Sequence, residues 1–159
     1  MSNITTKKLF TSIKKYYIIN IKMIISSRFT ISVHILICIL YFKNEKITSN
    51  FISKSVNVNP VIIRNILIQL QKANLITVKR GTGGIFLNKE CENITLLEIF
   101  NAVDSLDNNK LFNFHKHPNT ECPVGKKIKE ALNPKLDNIQ NTMETELNNI
   151  TLKDIFNNI

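Results

Sequence analysis

The sequence predicts a mainly α-helical fold that carries one small β-hairpin, and three observations lead there. Apolar residues recur at three- and four-residue spacing over several segments, the period of a helix with one buried face. A strong helix-start signal, Asn59-Pro60, follows shortly after another short helical segment. A single glycine-rich loop, Arg80-Gly81-Thr82-Gly83-Gly84, lies between two short apolar runs.

The first helix is expected over residues 27–43, where Phe29, Ile31, Val33, Ile35, Leu36, Ile39, Leu40 and Phe42 cover more than one face, as in a central core helix. The apolar run 29–42 is 14 residues long and contains Ser32 and His34, so it falls short of a membrane span. Thr48 is placed to cap a second, short helix ending near Val56. After a turn at Asn57-Val58, Asn59 caps a third helix with Pro60 at its first position. Ile62, Ile63, Ile66, Leu67 and Leu70 form its apolar face, and Val61, Arg64, Asn65, Ile68, Gln69 and Lys72 the other. A short helix, a turn and a capped helix have helix-turn-helix spacing. Strands over 75–79 and 85–87 then flank the glycine-rich loop, a hairpin in the position of a wing.

Beyond residue 90, Thr95 is placed to cap a helix running through Val103 to Leu106, and an irregular polar stretch follows to Cys122. A long helix is expected over 124–149, with Ile128, Leu132, Leu136, Ile139, Met143 and Leu147 forming a heptad-like seam for a partner helix. Pro134 should kink or split it unless local geometry absorbs the lost hydrogen bond. Thr151 can cap a final short helix. The expected organisation is a poorly ordered or non-native extension (1–22), a winged helix-turn-helix domain (23–90) and a helical linker with a dimerisation helix (91–159).

Charge is divided along the chain. Residues 1–90 carry 14 Lys/Arg against 2 Asp/Glu, and residues 91–159 carry 7 against 10. The basic first half suits a polyanion, with duplex DNA the first choice and an anionic membrane surface the competitor. Three scattered cysteines exclude a secreted disulfide scaffold and fit a reducing cytoplasm. No phosphate loop, nucleophile motif or carboxylate pair points to an enzyme.

The exposed, N-terminal side of the third helix is the part that would enter a major groove. Asn59, Val61, Arg64 and Asn65 lie there: Arg suits guanine, Asn suits adenine, and Val suits a thymine methyl. In the wing, Lys79, Arg80 and Thr82 would reach the minor groove, and the backbone amides of Gly83 and Gly84 would meet phosphate. Ser26, Ser27, Arg28 and Lys54 are candidate backbone clamps.

The runs SSRFTISVHIL, NPVIIRNILIQLQKANLITVKRGTGG, ITLLEIFNAVD and FHKHPNTECPVGKKI resemble the Rrf family of winged-helix regulators, which includes IscR, NsrR and CymR. The likeness spans residues 23 to about 158 and is strongest to the cluster-free, YwnA-like branch of that family. The resemblance implies a homodimer paired through the long helix on a two-fold-symmetric operator, acting as a repressor. It also implies backbone contact by Arg28, major-groove contact by Asn59 to Asn65, and minor-groove contact by Arg80 and Thr82.

Cluster-binding members of that family carry three closely spaced cysteines before the dimer helix. Here only Cys122 lies there, Cys91 is 31 residues upstream and Cys38 falls in the first helix, so no iron–sulfur cluster or other cofactor is expected. His115, His117 and Cys122 lack a fourth ligand, so no metal site is expected either. Cys122 precedes Pro123 at a helix start with Lys126 and Lys127 following, which favours a reactive thiolate and makes it the candidate redox sensor. A small-molecule effector is the other candidate signal. The alternative to DNA binding is a winged-helix protein-interaction module without specific DNA recognition, against which the basic helix and wing both count.

Overall fold

The computed structural model describes residues 27–79, 81, 83–104, 110–112 and 114–159. The expectations for residues 1–22, Ser26, Arg80, Thr82 and Leu106 lie outside the described residues. The elements run α1 (Ser27–Tyr41), α2 (Ser49–Val56), α3 (Pro60–Lys72), β1 (Ile76–Lys79), β2 (Gly84–Leu87), a 3₁₀ turn (Cys91–Asn93), α4 (Leu96–Val103), α5 (Pro123–Asn149) and α6 (Leu152–Phe156). It is a mostly helical winged-helix architecture with one two-stranded antiparallel sheet and a long C-terminal helix.

Local chemistry sets each boundary of the helix-turn-helix. The Thr48 hydroxyl accepts from the Phe51 N–H at 3.2 Å, and Asn57, at φ 55°, ends α2 in the left-handed conformation that asparagine tolerates. The Asn59 Oδ1 then accepts from the Val61 N–H at 2.8 Å with Pro60 beside it. At the far end of α3, Asn74 (φ 58°) reverses the chain. Its N–H donates to the Gln71 carbonyl and the Leu75 N–H to the Leu70 carbonyl, a Schellman closure that delivers the chain into β1. Asn88 ties the base of the hairpin to this corner, donating from Nδ2 to Asn74 Oδ1 at 2.9 Å and accepting from Thr77 Oγ1 at 2.6 Å.

The core is mostly isoleucine and leucine. Ile35, Leu36 and Ile39 of α1 meet Ile52, Ile63, Ile66 and Leu70 of the helix-turn-helix, Ile76 and Ile85 of the hairpin, and Ile99 of α4. Burying such side chains contributes roughly 1.5–3 kcal/mol each, which makes α1 the shared floor of the domain. One helix-face assignment is corrected. Ile62, expected on the apolar face of α3, is 44% exposed, because Ile63, Ile66, Leu67 and Leu70 already complete the inward stripe. α1 ends at Tyr41 rather than 43, and α4 at Val103, where Asp104 turns to extended backbone. α5 is not split at Pro134; the helix continues through it to Asn149.

The chain returns from α5 to where it left. Thr95 and Thr151 form an antiparallel bridge, with Leu96 N–H to the Ile150 carbonyl at 2.9 Å and Leu152 N–H to the Ile94 carbonyl at 2.8 Å. Both threonines also cap helices through reciprocal capping boxes, with Glu98 and Asp154.

Candidate nucleic-acid interface

The capped end of α3 stands clear of the core. Asn59, Val61, Arg64 and Asn65 are all exposed, Val61 by 56%. An apolar side chain held in water beside an arginine and two asparagines is a combination able to pair with base edges and pack on a thymine methyl. The Asn59 Oδ1 is committed to capping. Arg64 folds its Nε back onto the Pro60 carbonyl at 3.1 Å, which aims the guanidinium toward the N-terminal end of α3. Ile62 and Ile68, both exposed, extend this apolar-plus-polar surface. Gln69 leaves it, because its Oε1 is buried.

Beside α3 runs a groove of about 470 Å³, walled by Lys46, Thr48, Arg64, Lys79 and Gly81 among others. Three cations and a helix N-terminus on one groove give it a positive potential, the electrostatics of a phosphate track. Lys46 was not among the residues the sequence singled out. Its Nζ donates to the Gly81 carbonyl at 3.1 Å across 35 residues of chain, and no local pattern announces such a pairing. Lys79 lies along the hairpin with its Nζ 5.2 Å from the Phe86 ring centre, a cation–π contact. Gly83 is required by space: a Cβ there would sit 2.2 Å from the Lys79 Cβ.

The expected backbone clamps are less uniform. Lys54 is exposed in the last turn of α2, and Ser27 is exposed at the start of α1. Arg28 is half-buried and close enough to Asp104 to act on its charge. Burial pushes the Asp104 carboxyl above the usual carboxylate range, and Arg28 opposes that rise.

The long helix contributes no buried residue. Of the expected seam, Leu147 packs against the core of its own chain, while Ile128, Leu132, Leu136, Ile139 and Met143 stay half-buried or exposed, Ile139 by 53%. Cys122 sits exposed at the N-cap of this helix. The backbone N–H groups of Gly125 and Val124 hold its thiol below the ordinary cysteine range. Cys38 is buried in α1 and Cys91 lies in the 3₁₀ turn, where burial and neighbouring Glu92 push its thiol up. Among the described residues no three His, Cys, Asp or Glu side chains lie together as metal ligands. No described helix is long and apolar enough to cross a membrane.

Residues 25–158 match the sequence profile of Rrf2, described as iron-dependent transcriptional regulators. The chain belongs to the Rrf2 family. This Rrf2 protein is therefore a transcriptional regulator by family and not an enzyme. It is 41% identical to Bacillus subtilis YwnA, named as an HTH-type transcriptional regulator, over 85% of this chain and 98% of YwnA. It is 37% identical to a crystallised protein described as DNA-binding, with a TM-score of 0.64 over 81% of this chain and 98% of that one. Staphylococcus aureus CymR shares the fold at a TM-score of 0.57 and 19% identity, over 82% of this chain and 96% of CymR.

Proposed function

We propose that this Rrf2 protein represses transcription in the cytoplasm by binding a two-fold-symmetric duplex operator as a homodimer. The observation that carries the reading is the exposed, capped end of α3, where Val61, Arg64 and Asn65 stand beside a cationic groove. In this reading α3 reads the major groove. The wing, including Arg80, Thr82 and Gly83, follows the minor groove, and Lys54 and Ser27 grip the backbone. Dimerisation through α5 is supported by a 27-residue helix in which no residue is fully buried and whose apolar residues Ile128, Leu132, Leu136, Ile139 and Met143 stay half-buried or exposed. Two copies related by a two-fold axis present two recognition helices to two half-sites.

The protein works without an iron–sulfur cluster in this reading, since its three cysteines lie on three separate elements. Cys122 is then the redox-sensitive group. Its helix-stabilised thiolate would be oxidised by a peroxide to the sulfenate, at the tip of the helix that sets the dimer.

The test is selection of random duplexes by the purified protein, with and without peroxide. A palindromic consensus, lost or weakened on oxidation, is expected. Arg64→Ala should cost about 1–3 kcal/mol and relax the preference at one position per half-site. Unchanged selectivity in Arg64→Ala would overturn the assignment of α3, and a brown protein after anaerobic purification would overturn the cluster-free reading.

A further inference from the structure

A cleft of about 480 Å³ opens on the side of α1, lined among others by His34, Cys38, Tyr41, Phe42, Ser55 and Ile155. Its volume is within the range of small-molecule sites, and its walls are mostly apolar with a few convergent polar groups. Those groups form a chain. The Cys38 thiol donates to Ser55 Oγ at 3.3 Å, and Ser55 Oγ lies 3.2 Å from His34 Nε2.

No Lys, Arg, Asp or Glu is among the residues lining this cleft. With no lysine or arginine in its walls, an anionic ligand would lose water there without a fixed opposite charge to meet it, a cost that a neutral molecule avoids. Tyr41 and Phe42, edge to face at 4.9 Å between ring centres, add two aromatic rings to the wall. The occupant that fits is uncharged, flat and apolar over most of its surface, with one hydroxyl or carbonyl for the His34–Ser55 end.

The position of the cleft gives it a role. His34 and Cys38 belong to α1, Ser55 to the first helix of the helix-turn-helix, and Ile155 to α6, which follows directly on the long helix. We infer that the cleft is an effector site for a small uncharged aromatic molecule, which bridges α6 to α2 and so biases the helix-turn-helix. The regulatory half of this inference rests on the DNA-binding reading; occupancy of the cleft does not.

The chain has no tryptophan, so a fluorescent ligand can be followed directly. The probe is 2-naphthol, uncharged at neutral pH with one hydroxyl, titrated into the full chain without DNA. Its charged counterpart, 2-naphthalenesulfonate, is the control. Saturable 2-naphthol binding is expected, at least about tenfold tighter than the sulfonate. His34→Leu and Ser55→Ala, both at exposed helix positions, should each weaken it by about three- to tenfold, the worth of one hydrogen bond. No saturable binding, equal binding of the sulfonate, or binding indifferent to both substitutions overturns the site. So does failure to bind in a chain that sediments as a dimer, since a second copy then covers the cleft. Saturating 2-naphthol should change affinity for the selected duplex by about fivefold or more, the lower end of allosteric coupling. An unchanged affinity overturns the regulatory role alone, and 2-naphthol binding by a protein that ignores duplex DNA overturns the DNA reading while leaving the cleft intact.

Discussion

Lys46 donates from Nζ to the carbonyl oxygen of Gly81 at 3.1 Å, so the loop ahead of α2 holds the tip of the wing. In the proposed complex the bond would link the two parts of the interface that meet adjacent grooves. Lys46→Met keeps the apolar stem and removes the donor. Its affinity for the selected duplex should fall about three- to tenfold, the range of one hydrogen bond, with no change in base preference. Fluorescence anisotropy on matched and mismatched duplexes would check this, and a change of preference would place Lys46 on a base.

Asn59 caps α3 and, in the proposed complex, also faces DNA. Asn59→Ala should cost about 1 kcal/mol of stability through the lost cap. Asn59→Asp keeps the cap, because aspartate caps as well and suits the helix dipole. Its negative charge should nonetheless weaken DNA binding by about tenfold or more through repulsion of phosphate. Thermal melts beside binding isotherms separate the two, and normal binding by Asn59→Asp would remove this helix end from the phosphate surface.

Ile139 is exposed near the middle of α5. Ile139→Glu puts a charge into the proposed seam without touching the core of the winged domain. Sedimentation should shift from dimer toward monomer, and operator affinity should drop steeply because one half-site binds far more weakly than two. The melting temperature of the winged domain should change little. A dimer that persists unaltered would move the contact off this seam.

The lowered pKa of Cys122 predicts a pH signature. A depressed folded value keeps the thiolate populated to lower pH, so alkylation by iodoacetamide should climb and saturate at lower pH than in the denatured chain. Cys91, shifted the other way, should react only at higher pH. Gly125→Ala should disturb this arrangement, since a Cβ there would lie 2.1 Å from the Asn119 carbonyl oxygen. Peptide mapping by mass spectrometry reads all three cysteines together, and a Cys122 profile matching the denatured chain would remove its special reactivity.

Much of the architecture was legible because it is written locally. Thr48, Asn59-Pro60, Thr95 and Thr151 each cap the helix expected of them, since capping depends on residues within one turn. The exposed face of α3 was legible for the same reason, with Ile62 the exception: a hydrophobic residue at the edge of a stripe has no local mark that says whether the stripe is already full. Lys46 was illegible for a different reason. Its partner, Gly81, is fixed only by the folded chain, and a charge in sequence carries no address. The cleft was hidden likewise, because His34, Ser55 and Ile155 come from three separate helices.

The bridge between Thr95 and Thr151 has a consequence for how the arm can vary. α4 packs on the core through Ile99 and Val103, the outer part of α5 buries no residue, and the chain comes back beside α4 at one point, pinned by two backbone hydrogen bonds. The length of that excursion is therefore decoupled from the domain it leaves. Whole helical turns could be inserted into or removed from the outer part of α5, about 5.4 Å of reach at a time, while the base stays shut like a clasp. In the proposed dimer, half-site spacing would then be adjustable by arm length alone, without rewriting the residues assigned to base contact.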